Sequence, residues 1–378
     1  MSGVPIARLL GFEIRVHPSW IVIIALVAVL VVGEFETAAP DSAVALRWLI
    51  GGLTAAAFLV SVLAHELAHG VVARRRGLDV GPITLYFFGG SGSYQLESDR
   101  PRDEAAIALA GPLVSLAIGG ALAVGAYAGD ASGHPILQTA APVALLLAVL
   151  NLVLGGANLV PAYPLDGGRV VRALVWARQG DERAGARAAA ASGRLVGWGL
   201  VAAGVVLIAM NDAPDGIMLA LSGWFLGNAS RGILRRLVVE DLLRGVRVSD
   251  VMETDVSSIP PSLTVDTFAA QLLDGSRDGA MPVMQDSRVL GLVGAAQVRR
   301  LRRGAWPTTR AEDVMVAPPR LPFAQPDDQL WAALDRLRRS GLDGLPVVEG
   351  AGLLGIVSRR AIVAMIQSRA QSRGVSLR

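Results

Sequence analysis

The chain has 378 residues, 52% of them hydrophobic and 18% charged, and a mean hydropathy of +0.49; that length suits two or more domains, and that balance points to a membrane-embedded part. Cysteine is absent, which excludes disulfides and thiolate metal sites. The formal net charge is only +3, every basic residue is Arg, and no basic block interleaves with aromatics, so no nucleic-acid partner is expected.

Six apolar segments run in order at about 18–33, 44–73, 105–128, 136–160, 195–210 and 216–233, near or above the roughly 20 residues a bilayer-spanning helix needs. No small-residue cleavage site follows the first of them, so it is expected to stay as a transmembrane helix. The connections after the first, third and fifth segments carry Glu34, Glu36, Asp41, Asp130, Asp212 and Asp215 but no Arg before Arg47. The opposite side carries Arg8, Arg15, Arg74, Arg75, Arg76, Arg100, Arg102, Arg169, Arg172 and Arg178. The excess of positive charge on that side makes both termini cytoplasmic in a multi-pass protein of the cell membrane. Arg74-Arg75-Arg76 then reads as a stop-transfer anchor.

The second segment contains Ala64-His65-Glu66-Leu67-Ala68-His69-Gly70. His65 and His69 stand at i and i+4, so a helix puts both imidazoles on one face, one turn apart, where one zinc ion takes both. Glu66 lies beside them to handle a proton. Ionisable side chains inside an apolar helix are costly and usually functional. His65 is nine residues before Arg74, roughly 13 Å from the cytoplasmic end of the helix at 1.5 Å per residue. Water must reach that depth, so the fold must enclose a polar cavity.

Residues 80–97 interrupt the helical pattern: Val80 to Phe88 is β-prone, and Gly89-Gly90-Ser91-Gly92-Ser93 follows. A short hairpin or re-entrant strand is expected on the cytoplasmic side, with an ordinary loop as the alternative. Its functional reading is an edge strand at 83–88 able to pair with an extended peptide. The third segment holds Ala110-Gly111-Pro112, which suggests a close helix contact or a kink. The fourth ends in Asn158-Leu159-Val160-Pro161-Ala162-Tyr163-Pro164-Leu165-Asp166-Gly167-Gly168-Arg169. Alone, Asp166 would be a turn residue; beside a two-His site lacking a third ligand, it is the expected third ligand. Asn158 either caps the broken helix or donates a hydrogen bond to a reacting carbonyl. His17 and His134 are not expected to bind metal.

After Arg231 the composition turns soluble, and residues 247–370 repeat internally. Asp250-Val251-Met252 recurs as Asp313-Val314-Met315, Met281-Pro282-Val283 as Leu345-Pro346-Val347, and Gly291-Leu292-Val293 as Gly355-Ile356-Val357. Each copy alternates strand and helix, a small α/β unit suited to dimerisation or ligand sensing. The expected domains are a six-helix membrane domain (1–237), a linker (238–246), two repeat copies (247–306 and 307–370) and a tail (371–378).

These motifs together resemble the site-2 proteases, intramembrane zinc metalloproteases, across most of residues 50–175. The repeat resembles a tandem pair of cystathionine-β-synthase (CBS) domains. The first resemblance implies one Zn2+ held by His65, His69 and Asp166, with Glu66 as general base and acid and Asn158 steadying substrate or oxyanion. It also implies that the strand near 83–88, with Phe87, Gly89 and Gly90, receives an unwound substrate. That substrate would be a single-span transmembrane protein such as an anti-sigma factor or sigma-factor precursor, taken from the lipid. CBS modules that bind adenine nucleotides place Asp against the ribose. Here those positions are Gln297 and Ala361, which puts nucleotide binding in doubt and leaves a structural or homodimerising role beside it. The competing reading is a membrane-anchored, non-catalytic zinc protein acting as a CBS sensor or scaffold.

Overall fold

The computed structural model describes residues 3–38, 42–86, 89–92, 100–273, 280–286, 288–350 and 352–375. It divides into two compact units, Met1–Leu234 and Arg235–Arg378.

The first unit opens on a hairpin that the apolar-segment reading overlooks. Strands β1 (Val4–Leu9) and β2 (Phe12–Val16) pair antiparallel. Their two-residue turn, Leu10-Gly11, has φ of +51° and +79°, the left-handed pair such a tight turn requires. Phe12 and Ile14 face inward and are fully buried, with Glu13 and Arg15 between them forming an ion pair at 2.9 Å. Arg74 holds the turn: its guanidinium donates to the Leu10 carbonyl at 2.7 Å and lies 3.5 Å from the Phe12 ring centroid. So one of the three anchor arginines also fastens the sheet to the end of a long helix.

Helices α1 (Trp20–Ala38) and α2 (Val44–Arg75) follow, then β3 (Ile83–Tyr86) and β4 (Gly89–Gly92). The four strands form one sheet in the order β1-β2-β3-β4, with β3 parallel to β2 and antiparallel to β4. This corrects the expectation of an edge strand at 83–88. The N-terminal hairpin occupies one side of β3 and β4 the other, so among the described residues the edge on this flank is Gly89–Gly92. Ile83 and Leu85 are buried with Phe12, Ile14 and Trp20.

Helices α3 (Pro101–Ala131), α4 (Pro135–Leu159), α5 (Asp166–Gln179), α6 (Glu182–Ala209) and the part of α7 (Ala213–Leu243) up to Leu234 complete the unit. Among the described residues four helices, α2, α3, α4 and α6, are long and apolar enough to cross a membrane, where six spans were expected, and α1 carries a shorter apolar stretch, Trp20–Gly33. Their outward residues are apolar and exposed, among them Leu49, Leu53, Leu113 and Trp198. Their buried residues include Ser61, His65, Glu66, Ser115 and Asn151. That polar interior behind an apolar exterior is what a lipid solvent imposes. The segment 238–246, expected as a linker, is helical as far as Leu243, because Leu242 and Leu243 are buried in the core of the second unit.

The second unit contains α8 (Val265–Leu273), β5 (Ala280–Gln285), β6 (Arg288–Gly294), α9 (Ala295–Arg299), α10 (Ala311–Val314), α11 (Leu330–Ser340), β7 (Gly344–Glu349), β8 (Gly352–Ser358) and α12 (Arg359–Ser372). Every strand boundary recurs 64 residues later, from 280 to 344, 285 to 349, 288 to 352 and 294 to 358. The hairpin bulge recurs too, at Val283/Met284 and at Val347/Val348. The copies exchange contacts reciprocally: Leu292 of the first bridges Val316, and Ile356 of the second bridges Glu253.

Candidate metal centre

Helix α2 buries a stripe that includes Ala55, Val62, His65, Glu66, His69 and Ala73, the three-to-four-residue spacing of one helical face. His65 and His69 are each 3% exposed and Glu66 is 7% exposed. Asp166 opens α5 directly after the Pro161–Pro164 break, so its carboxylate sits at the positive end of that helix. Two glycines allow this. A Cβ on Gly167 would lie 2.2 Å from the Val160 carbonyl oxygen, and one on Gly168 would lie 2.5 Å from the Tyr163 nitrogen. Only residues without a side chain let the start of α5 tuck beneath the turn that precedes it.

Three donor atoms then converge. Asp166 Oδ2 lies 3.3 Å from His65 Nε2 and 3.2 Å from His69 Nε2, and the two Nε2 atoms are 3.2 Å apart. Zinc–ligand bonds of about 2.0–2.1 Å at tetrahedral angles separate neighbouring donors by about 3.3 Å, so the triangle has the edge length of one face of such a site. Among the described residues these three are the one group of His, Cys, Asp or Glu able to hold a metal ion.

The hydrogen bonds behind the rings say which nitrogens are available. His69 Nδ1 contacts the Ile107 carbonyl at 2.7 Å. A carbonyl only accepts, so Nδ1 carries the proton and Nε2 of the neutral ring presents a lone pair. His65 Nδ1 is 2.9 Å from the Ser115 hydroxyl. The His69 lone pair and the Asp166 carboxylate thus face each other and the His65 ring nitrogen at close range, a donor set that a cation placed between them would satisfy. A borderline cation such as zinc suits nitrogen and oxygen donors of this kind. These backing bonds also fix ring orientation, as partners of metal-bound imidazoles do.

Ile107, Gly111 and Ser115 stand four residues apart on α3, one face of which lies against the imidazoles. A Cβ on Gly111 would come within 2.3 Å of His69 Nε2 and 2.6 Å of His65 Nε2. Gly111→Ala therefore pushes both rings out of position. The expected outcome is a full-length protein that folds but holds zinc at least about tenfold more weakly, read by titration against a chelator; unchanged affinity would mean the rings have slack that the geometry denies them.

Asn158 lies half-buried near the end of α4, and its amide donates to the Leu154 carbonyl at 2.9 Å. That carbonyl is still within the helix, so this bond caps none of the last-turn carbonyls. Gly89 and Gly90 lie on β4, paired with Tyr86 and Leu85. Phe87 lies outside the described residues. Sequence reasoning missed Ser115 and the Ile107 carbonyl. The fourfold spacing of Ile107, Gly111 and Ser115 was a signal for the face, but not for what the face touches.

Residues 53–131 and 131–200 match peptidase family M50, and residues 248–304 and 311–368 each match the CBS domain. A Mycobacterium tuberculosis protein, Rip3, named a candidate zinc metalloprotease, is 35% identical over 367 residues, covering 97% of this chain and 93% of its own. The chain belongs to peptidase family M50. It is a site-2-protease-like metalloendopeptidase of multi-pass membrane type, with zinc as cofactor and a CBS pair at its C-terminal end. A further relative, zinc metalloprotease MJ0392 of Methanocaldococcus jannaschii, is 29% identical over 306 residues, 80% of this chain and 82% of that protein. The solved site-2 protease of Methanocaldococcus jannaschii aligns at 25% identity over 61% of this chain and 94% of its own, with a TM-score of 0.36.

Proposed function

We propose that this M50 protease cleaves a peptide bond within or beside the transmembrane segment of a single-span membrane regulator, with His65, His69 and Asp166 holding zinc. The observation that carries the reading is the donor triangle of 3.2–3.3 Å with Glu66 next to His65 in the chain, all four side chains buried among apolar helices. Zinc held there would supply Lewis acidity for the carbonyl and for the attacking water. Glu66 takes the proton of that water and returns it to the leaving amine. Asn158, near the end of α4, donates a hydrogen bond that orients the substrate carbonyl. Six membrane helices with both termini in the cytoplasm put the centre below the cytoplasmic face of the cell membrane, by the distribution of Arg between the loops.

A helical substrate keeps its scissile carbonyl in the intrahelical ladder, so it must unwind locally. The edge of β4 at Gly89 and Gly90 offers backbone pairing to the unwound strand and offsets the lost bonds. Gly89→Val is expected to raise KM for the substrate while zinc content stays stoichiometric; unchanged cleavage kinetics would dismiss β4 as the docking edge.

The CBS pair is proposed to act as a structural or homodimerising module. In the first copy Gln297 accepts from the Gly294 N–H at 3.1 Å; in the second, the Ser358 hydroxyl accepts from the Ala361 N–H at 3.0 Å. These positions cap helices and present no carboxylate to a ribose. Ala361 also lines a cavity of about 480 Å3 together with Glu253, Asp255 and Arg360. ATP or AMP is expected to leave the unfolding temperature of the purified protein unchanged, whereas a saturable rise would restore nucleotide sensing.

The substrate class is tested by comparing membrane proteomes of cells carrying wild type or Glu66→Gln. The expected result is a short single-span fragment that accumulates only with the variant; identical proteomes would contradict the reading.

A further inference from the structure

A second buried charge cluster lies outside the metal triangle and takes no part in the chemistry above. Glu104, on the first turn of α3, is 1% exposed. Its Oε1 lies 3.4 Å from Arg172 Nη1 and 3.8 Å from Arg169 Nε, both on α5, and Arg172 also pairs with Glu182. Glu104 Oε2 and Arg172 Nε are buried without a hydrogen-bond partner. A buried ion pair this loosely made recovers little of its desolvation cost, and well-packed apolar residues would hold the helices together at least as well. Fold stability alone does not account for it.

The packing of α5 suggests what does. Its buried residues are Asp166, Gly167, Gly168 and Ala173. Ala173 is the one fully buried apolar side chain along it, while Val170, Val171, Val175 and Trp176 are half-buried, so few deep apolar contacts fix its rotation and axial position. Yet Asp166 must sit within a few tenths of an ångström of its place to complete the triangle. The two arginines three and six residues beyond it reach back to one carboxylate on α3. The same helix fixes His69 through the Ile107 carbonyl, one turn further along, and His65 through Ser115, about three turns along.

We propose that Glu104 is a positioning residue for the metal centre: by holding Arg169 and Arg172 it sets the register of α5, and so the reach of Asp166, against the helix that orients both histidines. The inference rests on Asp166 being a metal ligand. Its consequence is that Glu104 acts on the metal through Asp166 and not through the histidines.

The test uses the full-length protein purified in detergent, with three readouts: zinc affinity by chelator competition, the visible absorption of the cobalt-substituted protein, and the unfolding temperature of the metal-free form. Glu104→Gln is expected to weaken zinc about tenfold, alter the cobalt band and leave metal-free unfolding close to wild type. In the Asp166→Ala background, Glu104→Gln should weaken zinc no further. Should Glu104→Gln fail to fold, Arg169→Gln removes one of the two arginines from a half-buried position and is expected to give the same pattern. Unchanged zinc affinity and cobalt band, or a loss of equal size in both backgrounds, would overturn the proposal while leaving the metal site intact. Wild-type zinc affinity in Asp166→Ala alone would instead remove Asp166 as a ligand, and this inference with it.

Discussion

Glu66→Gln is expected to keep its zinc and lose peptide-bond cleavage by about 10²- to 10⁴-fold, the usual contribution of a positioned general base and acid. The substitution is nearly isosteric, and position 66 is buried and follows His65 directly in sequence on the same helix. A neutral amide cannot take a proton from water at neutral pH or return one to an amine. It also leaves His65, His69 and Asp166 in place, so elemental analysis should find the metal unchanged. Wild-type turnover in this variant would remove Glu66 from the mechanism and require another proton acceptor near the triangle.

Asp166→Ala carries the second large effect, on the metal itself. Two imidazoles from one turn of α2 are a weak site; the carboxylate supplies both the third donor and the negative charge that opposes the cation. Losing a direct ligand should weaken zinc more than the roughly 10- to 100-fold cost of disturbing an outer partner, so the purified variant is expected to lose its stoichiometric zinc and to bind added zinc only weakly, through the two imidazoles. Helix α5 should survive, since its start is set by the Gly167 and Gly168 contacts with the preceding turn and not by the Asp side chain. Stoichiometric zinc in Asp166→Ala would mean that another residue completes the site.

What the sequence made legible follows from how local each signal is. The pairing of His65 with His69 needs only the helical repeat. The tandem repeat needs only its own recurrence, and its offset of 64 survives in every strand boundary. Asp166 was reachable because Cys is absent and candidate third ligands are few. Signals that depend on tertiary contact were not legible. The Ile107 carbonyl is a backbone atom, so no side chain announces it as the partner of His69. Gly111 could be read as a place of close approach, but not that the approach is to the imidazoles. The hairpin before α1 was overlooked although Phe12, Ile14 and Val16 alternate with Glu13 and Arg15, because long apolar runs dominate the hydropathy of this chain. Missing it led to the wrong edge: β3 looks free until β2 lies beside it. Helix α5 hid behind the Pro and Gly residues that break α4, since the same residues that end one helix permit the next to start at close quarters.

The central claim is that one zinc ion is held by two imidazoles and one carboxylate, with one position open to water. X-ray absorption at the zinc edge of the purified full-length protein measures this directly. The account predicts four light-atom neighbours at about 2.0–2.2 Å, two of them giving the outer-shell scattering of imidazole rings. Absence of zinc, or any count of imidazoles other than two, would contradict it.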